Sequence, residues 1–358
     1  MITDTDCHST CTSEMINMSD SYNSSLSHLA INVRFCTILN YFIVKMTSES
    51  KPKIVVIGSC SVDFTTYAPR LPSPGETLHG TKFVTSYGGK GANQCVAAAK
   101  LGGNAHMICK LGDDQWGKKY KEHLKECGVN VTYSHNAANS MTGIAQISVA
   151  ENGENQIVIV PGANKLLSKS DVQEALVLIK NADILIGQLE IPYETTLEAF
   201  KLNKGLRLLN AAPAMQDIHE IFPYCSILCV NESEASYLTN NSVTLSNAAH
   251  ALLRLLDTGC ETVVITLGEK GAVYATKYDR KGIHVLTRSV KPVDTTGAGD
   301  AFVGALATFL VKYKTLPLHQ IIGAACEVAT ISVTREGTQT SYPTDYKPFA
   351  KEYEYISL

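Results

Sequence analysis

The chain of 358 residues has a single tryptophan and only 7% aromatic residues. That is too few for the stacking platforms that hold single-stranded nucleic acid. Charged residues are sparse at 18%, the formal net charge is −3, and no basic run stands out. No nucleic-acid or membrane surface is expected. Uninterrupted apolar runs of membrane-spanning length are missing as well. The stretch 29–45 (LAINVRFCTILNYFIVK) is broken by Asn32, Arg34 and Asn40, which argues against a span. Residues 1–27 contain no Lys or Arg, so they resemble neither a signal peptide nor an Arg-rich transit peptide. The 11 cysteines include no CxxC pair, and Cys95, Cys109 and Cys229 lie inside apolar runs. They read as reduced, buried thiols of a cytosolic protein rather than as disulfides or a metal site. The ten histidines show no metal-ligand spacing. The expected compartment is the cytoplasm, with the nucleus also open.

Residues 1–27 are rich in Ser, Thr, Asn and Asp, and Met46 opens MTSESKPKIVVIGS like the start of a domain. Residues 1–50 are expected to be a disordered extension, or in part an artefact upstream of Met46, and 51–350 to be the folded domain. From Lys53 onward, short β-branched apolar runs alternate with helical patterns: 53–59, 106–112, 183–190, 206–214, 226–232 and 262–268. Such strands, apolar on both faces with helices between them, predict an α/β, doubly wound, mainly parallel sheet. Residues 61–86 and 140–161 instead alternate apolar and polar residues, and the second carries a turn at Asn152–Gly153. They predict hairpin strands of a small accessory sheet over one edge of the domain. Polar residues fall where the strands of the main sheet end: Asp63, Glu190, Asn231, and Thr266 with Gly268. In doubly wound sheets, ligands sit outside those ends.

Three stretches carry chemistry. In DTTGAGDAFVGAL (294–306), Gly297, Ala298 and Gly299 lead into an apolar helix with Asp300 in its first turn. Small residues at a helix N-terminus allow an anion to reach unpaired N–H groups, and a carboxylate beside a phosphoryl group can take a proton from an attacking hydroxyl. The plainer account is a tight turn with Asp300 facing the helix dipole. In SYGGKGANQCVAAAKLG (86–102), Gly88, Gly89 and Gly91 permit close backbone approach, and Lys90 and Asn93 supply polar groups; a glycine turn packing a helix explains the same spelling. GDDQWGK lacks the Ser/Thr of a phosphate-binding P-loop, and GSCSVDF is not GxGxxG. Asn231 and Glu234 in NESE read as a helix cap with its reciprocal Glu, or as outer contacts to Mg²⁺ or phosphate.

Taken together, GSCSVD, GGKGANQ, QLE, NESEA, TLGEKGA, DTTGAGDAFVGAL and TREGTQTSYP, in that order, make residues 53–349 resemble the PfkB carbohydrate kinase family. The resemblance implies ATP-dependent phosphorylation of D-ribose at O5 to D-ribose 5-phosphate. Asp300 would be the general base, and the backbone of Gly297, Ala298, Gly299 and Asp300 the anion hole. Sugar contacts would come from Ser61, Val62, Asp63, Gly89, Lys90, Gly91, Ala92, Asn93 and Glu190. Nucleotide contacts would come from Asn231, Thr266, Leu267, Gly268, Gly271, Gly299 and Cys326. A K⁺ loop would comprise Asp294, Thr296, Ser332, Arg335, Gly337 and Ser341, several through carbonyls. Mg²⁺ would bridge the β- and γ-phosphates, with Asn231 and Glu234 outside its first ligands. The accessory strands would be the family's lid and the contact of a homodimer. An ordinary carboxylate pKa suffices for a base that needs only to be ionised at pH 7. Two spellings depart from the family: Asn210-Ala211-Ala212-Pro213 for Asn-Pro-Ala-Pro, and Cys326 where Asn or His often meets the adenine. Two other readings stand beside this one: the same chemistry on another sugar or a nucleoside, and a non-catalytic sugar-binding regulator.

Overall fold

The computed structural model describes residues 51–344, 346–349 and 351–358. The expectation for residues 1–50 therefore lies outside the described residues. Pro52–Leu358 forms one compact unit, reaching past the expected limit at 350 because the last strand joins the main sheet.

The strands run, in chain order, β1 Lys53–Ile57, β2 Ser61–Ala68, β3 Lys82–Gly88, β4 Asn104–Gly112, β5 Ser134–Ala137, β6 Gly143–Ala150, β7 Asn155–Val160, β8 Ile184–Gly187, β9 Leu206–Asn210, β10 Ile227–Asn231, β11 Thr262–Thr266, β12 Ala272–Thr276, β13 Ile283–Val285 and β14 Tyr355–Ser357. Ten of them form one sheet in the order β14-β13-β12-β11-β10-β9-β8-β1-β4-β5. All pairs from β11 to β5 are parallel, and β12, β13 and β14 add an antiparallel edge. The six predicted strands are β1, β4, β8, β9, β10 and β11.

Their apolar runs are continuous because successive side chains enter different cores. Ile54 and Val56 of β1 join Ile184, Ile186 and Met107 under the Lys90–Lys100, Ala298–Lys312 and Leu318–Ser332 helices. Val55 and Ile57 join Leu185 and Ile108 under the Tyr193–Leu202 and Ala248–Leu256 helices on the opposite face. A strand covered on both faces has no position for a polar side chain until it ends. No helix among the described residues is long and apolar enough to cross a membrane.

The four remaining strands form the lid, a separate sheet in the order β3-β2-β6-β7. β2 pairs antiparallel with β3 and β6 with β7, while the central β2–β6 pair is parallel. The Asn152–Gly153 turn is there: Gly153 has a φ of 88°, and the Asn152 side chain accepts from the Glu154 N–H at 3.1 Å. Phe64 of β2 meets Trp116 edge-on at 5.3 Å, and Tyr87 of β3 stacks on His123 at 4.2 Å. Both partners belong to the Gln115–Glu126 helix, so the inner half of the lid is anchored to the main domain. β7, by contrast, is exposed along its whole length.

Candidate active site

Neighbours β4 and β8 lie on either side of β1, and the chain proceeds outward in opposite directions from there. The crevice beyond the carboxyl ends of β1 and β8 is the position this topology reserves for a ligand. Ser59 follows β1 and Glu190 follows β8. The Ser59 hydroxyl donates to Glu190 Oε2 at 2.6 Å, and the same oxygen accepts from the Lys90 N–H at 3.0 Å. Gly89, at φ 90°, makes the turn into the Lys90–Lys100 helix; a Cβ there would stand 2.8 Å from the Ser61 nitrogen. The turn therefore brings Lys90 and Asn93 to the β1 end.

Asp300 reaches the same place from the Ala298–Lys312 helix. Gly297 caps that helix at φ 74° with no side-chain cap bond; the Ala298 N–H, expected in the anion hole, donates to the Thr295 carbonyl at 3.3 Å, which leaves the Gly299 and Asp300 N–H groups for an incoming anion. The Tyr342 hydroxyl donates to the Gly297 carbonyl at 3.1 Å and fixes the turn. Nothing lies within 4 Å of where a Gly299 Cβ would be, so that side of the helix end is open. The Asp300 carboxylate is nearly buried and accepts from Asn93 Nδ2 on Oδ2 and from Gln94 Nε2 on Oδ1, both at 2.9 Å.

Four acids and one cation share this site. Burial pushes the Asp300 carboxyl above its ordinary value, against Lys90 and the donors of Asn93 and Gln94. The ordinary pKa expected from sequence is thus corrected: the helix that carries Asp300 is packed on all sides and withholds solvent from it. Burial, assisted by Glu190 and Asp300, moves Asp63 up to about 7 despite the Ser61 hydroxyl. Burial disfavours the Lys90 charge, yet Asp300, Glu190 and Glu234 outweigh it and hold its pKa above the usual value. Burial likewise raises Glu234, opposed by the Asn231 N–H and by Lys90. Asp63, Lys90, Asn93, Glu190, Glu234 and Asp300 are accordingly one electrostatic cluster drawn from separate elements.

Other expected sugar contacts play supporting parts. Val62 and Ala92 are buried in the core. The Gly91 N–H donates to Ser59 Oγ at 3.2 Å, and the Ala92 N–H to the Ser59 carbonyl at 2.9 Å. Sequence reasoning missed Ser59, which sits in GSCSVD and links three of these groups. It also missed the buried amides Gln94, Gln188 and Asn210, although each lies in a motif that caught attention.

Beyond Gly299 opens a cavity of about 350 Å³, within the usual span for small-molecule sites. Thr266, Gly268, Gly271, Ala298, Gly299 and Cys326 line it, as do Thr287, Arg288, Phe302 and Thr330, which the sequence did not point to. Leu267 is buried behind it. Burial pushes the Cys326 thiol up to about 12, so it stays S–H at neutral pH. Asn231 caps the Glu232–Thr239 helix: its Oδ1 accepts from the Glu234 N–H, and Glu234 Oε2 accepts from the Asn231 N–H, both at 2.8 Å. The capping account of NESE therefore holds.

The 294–297 and 332–342 segments are joined through Asp294, whose Oδ1 accepts from the Thr296 N–H at 2.9 Å and Oδ2 from the Gly337 N–H at 3.0 Å. The Arg335 N–H donates to the Ser332 carbonyl at 3.2 Å. The hydroxyls of Ser332 and Ser341 bond to nearby carbonyls at 2.8 Å. Among the described residues, no group of three or more His, Cys, Asp and Glu is placed to hold a metal ion. The eight described cysteines are free, all but Cys127 buried.

A buried carboxylate in the first turn of a helix, with a polar crevice on one side and a cavity of about 350 Å³ on the other, suits a phosphotransferase. Residues 51–345 match the pfkB family carbohydrate kinase model. The chain belongs to that family and is a sugar kinase of the ribokinase type. It is 43% identical over 300 residues to a mouse (Mus musculus) ribokinase, covering 82% of this chain and 93% of the relative. It is 38% identical over 310 residues to a deoxyribokinase of Salmonella typhi, covering 85% and 99%. The Arabidopsis thaliana ribokinase structure complexed with ribose and ATP superposes with a TM-score of 0.77 at 32% identity, covering 82% of this chain and 96% of that one.

Proposed function

We propose that this chain transfers the γ-phosphoryl group of ATP to O5 of D-ribose, with Asp300 as general base. The observation that carries the reading is the place of Asp300: buried, in the first turn of an uncapped helix, between the crevice of Asp63 and Glu190 and the cavity that ends at Gly299. Each Asp300 oxygen holds one amide donor and keeps a lone pair for a substrate hydroxyl. Asp63 and Glu190 accept from the sugar hydroxyls, and Asn93 and Lys90 orient the acceptor end. Asp300 takes the O5 proton as O5 attacks, and the N–H groups of Gly299 and Asp300 stabilise the charge that grows on the transferring group. Mg²⁺ carried in with ATP would supply neutralisation of the β- and γ-phosphates. Glu234 keeps one oxygen for its water shell, while Asn231, whose Oδ1 already takes two donors, is left to donate through Nδ2.

The pinned Asp294 turn supports a K⁺ site among Asp294, Thr296, Ser332, Arg335, Gly337 and Ser341, several of them through backbone carbonyls; the ion would order the segment that leads into the anion hole. The exposed apolar residues of β7, with Phe83 on β3, support a homodimer through the lid, and the free thiols support a cytoplasmic setting. A second reading, 2-deoxyribose as acceptor, is favoured by the similarity to a deoxyribokinase.

The test is ADP release from MgATP with a panel of sugars and nucleosides, with ribose assayed with and without K⁺. Strong turnover on ribose that rises with K⁺ is expected. Preference for another alcohol would move the substrate, and no turnover from folded, ribose-binding protein would overturn the kinase reading.

A further inference from the structure

We propose that Gln94 is a positioning residue for the base: its amide fixes the Asp300 carboxylate, and Gln188 and Asn210 lock that amide in one polarity. The inference rests on the reading of Asp300 as the base. It begins at a backbone carbonyl. Asn210 Nδ2 donates to the Cys229 carbonyl at 3.3 Å, and a carbonyl can only accept. Asn210 must therefore turn Oδ1 toward Gln94, from whose Nε2 it accepts at 2.9 Å. The second hydrogen of the same Nε2 goes to Asp300 Oδ1 at 2.9 Å. Gln94 Oε1 then accepts from Gln188 Nε2 at 2.7 Å.

Two pure acceptors, the Cys229 carbonyl and the Asp300 carboxylate, set the direction of every amide between them. The chain ends on a loose thread: Gln188 Oε1 is buried without a partner beside Gly58, where an added Cβ would fall 2.0 Å from it. Leaving a buried acceptor unpaired is costly. Turning the amides over would exchange that acceptor for the Gln188 NH₂ group. Here, turning over would place the Gln94 carbonyl oxygen against a carboxylate. The unpaired atom is thus on Gln188, one amide removed from Asp300. Gln94 and Gln188 are fully buried, so water does not compete for these bonds.

Two effects follow at Asp300. With Oδ1 held by Gln94 and Oδ2 by Asn93, the carboxylate plane cannot rotate away from the incoming hydroxyl. The Gln94 donor also opposes the effect of burial and favours the ionised form. The other charged or titratable groups facing Asp300 are Lys90, Glu190, Asp63, Glu234 and the Tyr342 hydroxyl.

The test is Gln94→Met, which keeps length and removes the donor, with Gln188→Met acting one bond further out. The carboxyl carbon of Asp300 is followed by NMR titration of ¹³C-labelled, substrate-free protein, its signal assigned by its loss in Asp300→Asn. Gln94→Met should raise the Asp300 midpoint by about one pH unit, and the acidic limb of the kcat profile should move with it. kcat should fall by roughly tenfold or more, with KM for ribose and ATP within about threefold. Gln188→Met should shift the midpoint less, in the same direction, and covers the case in which Gln94→Met fails to fold. An unmoved midpoint in the folded variants, with kcat falling only as the thermal midpoint falls, overturns the inference even if Asp300→Asn is inactive. Substantial turnover in Asp300→Asn would instead overturn the reading beneath it.

Discussion

The two sheets use similar residues to opposite ends. β1 (KIVVI) and β8 (ILIG) bury every apolar side chain between helices, whereas β7 (NQIVIV) leaves Ile157, Val158, Ile159 and Val160 between 41% and 65% exposed. An apolar run thus marks a buried strand only when something covers both faces. The main sheet brings its own cover. The outer lid strand has none among the described residues, which is the physical support for proposing a second copy at that face. The chemistry divides along the same line. The covered sheet and its helices hold Asp300 and the amides bonded to it, while the lid contributes Asp63, the third residue of β2.

Breaking the covered side should have the largest effect. Asp300→Asn should keep the fold and ribose affinity and lower kcat by roughly 10²–10⁴-fold, read in a steady-state assay. In the same sheet, Leu185→Ala empties a fully buried site and should cost about 2–5 kcal/mol in urea unfolding. On the lid, Val158→Asp puts a charge on the exposed apolar strand and should abolish the proposed dimerisation, read by light scattering, with the chain still folded.

Asp63 sits where the two regions meet, and its pH response sharpens the comparison. Its carboxyl titrates near 7, so KM for ribose should rise as pH falls through that value, measured with ATP saturating. Stability should respond in the opposite sense. The folded state holds this proton more tightly than the unfolded chain, so the contribution is full in acid and is lost as pH rises toward about 7. The smallest effect belongs to Val158→Ala, which should change the stability of the monomer by no more than about 0.5 kcal/mol.

Much of this division was legible in the sequence. Continuous apolar runs gave the six parallel strands, and polar-apolar alternation marked the segments of β2, β3 and β6. β7 is less regular, since its IVIV run has the spelling of a buried strand. β5 (SHNA) has too little apolar content to be seen, and the short β13 and β14 depend on edge pairing that composition does not encode. In the site, glycines and acids were readable because their types are unusual at helix starts. Gln94, Gln188 and Asn210 were not. Amides spell like surface residues, and the bond from Gln94 to Asp300 spans 206 positions. The raised Asp300 and Asp63 pKa values were invisible for the same reason: burial belongs to the assembled helices, not to the residue.

The register of the lid draws a boundary that a protein engineer could use. Ser61 stands between Gly88 and Gly143 in the β3-β2-β6 ladder, and Gly88 packs against the Asp63 carboxylate. Two residues on, Asp63 aligns with Ser86 and Ala145, and past Phe64 the strands run outward to exposed tips. A lid from another sugar kinase could therefore be grafted at the Phe64–Thr85–Gln146 row. The outer part would bring its own quaternary contacts, and the rows inside the seam would keep the host's taste in sugars.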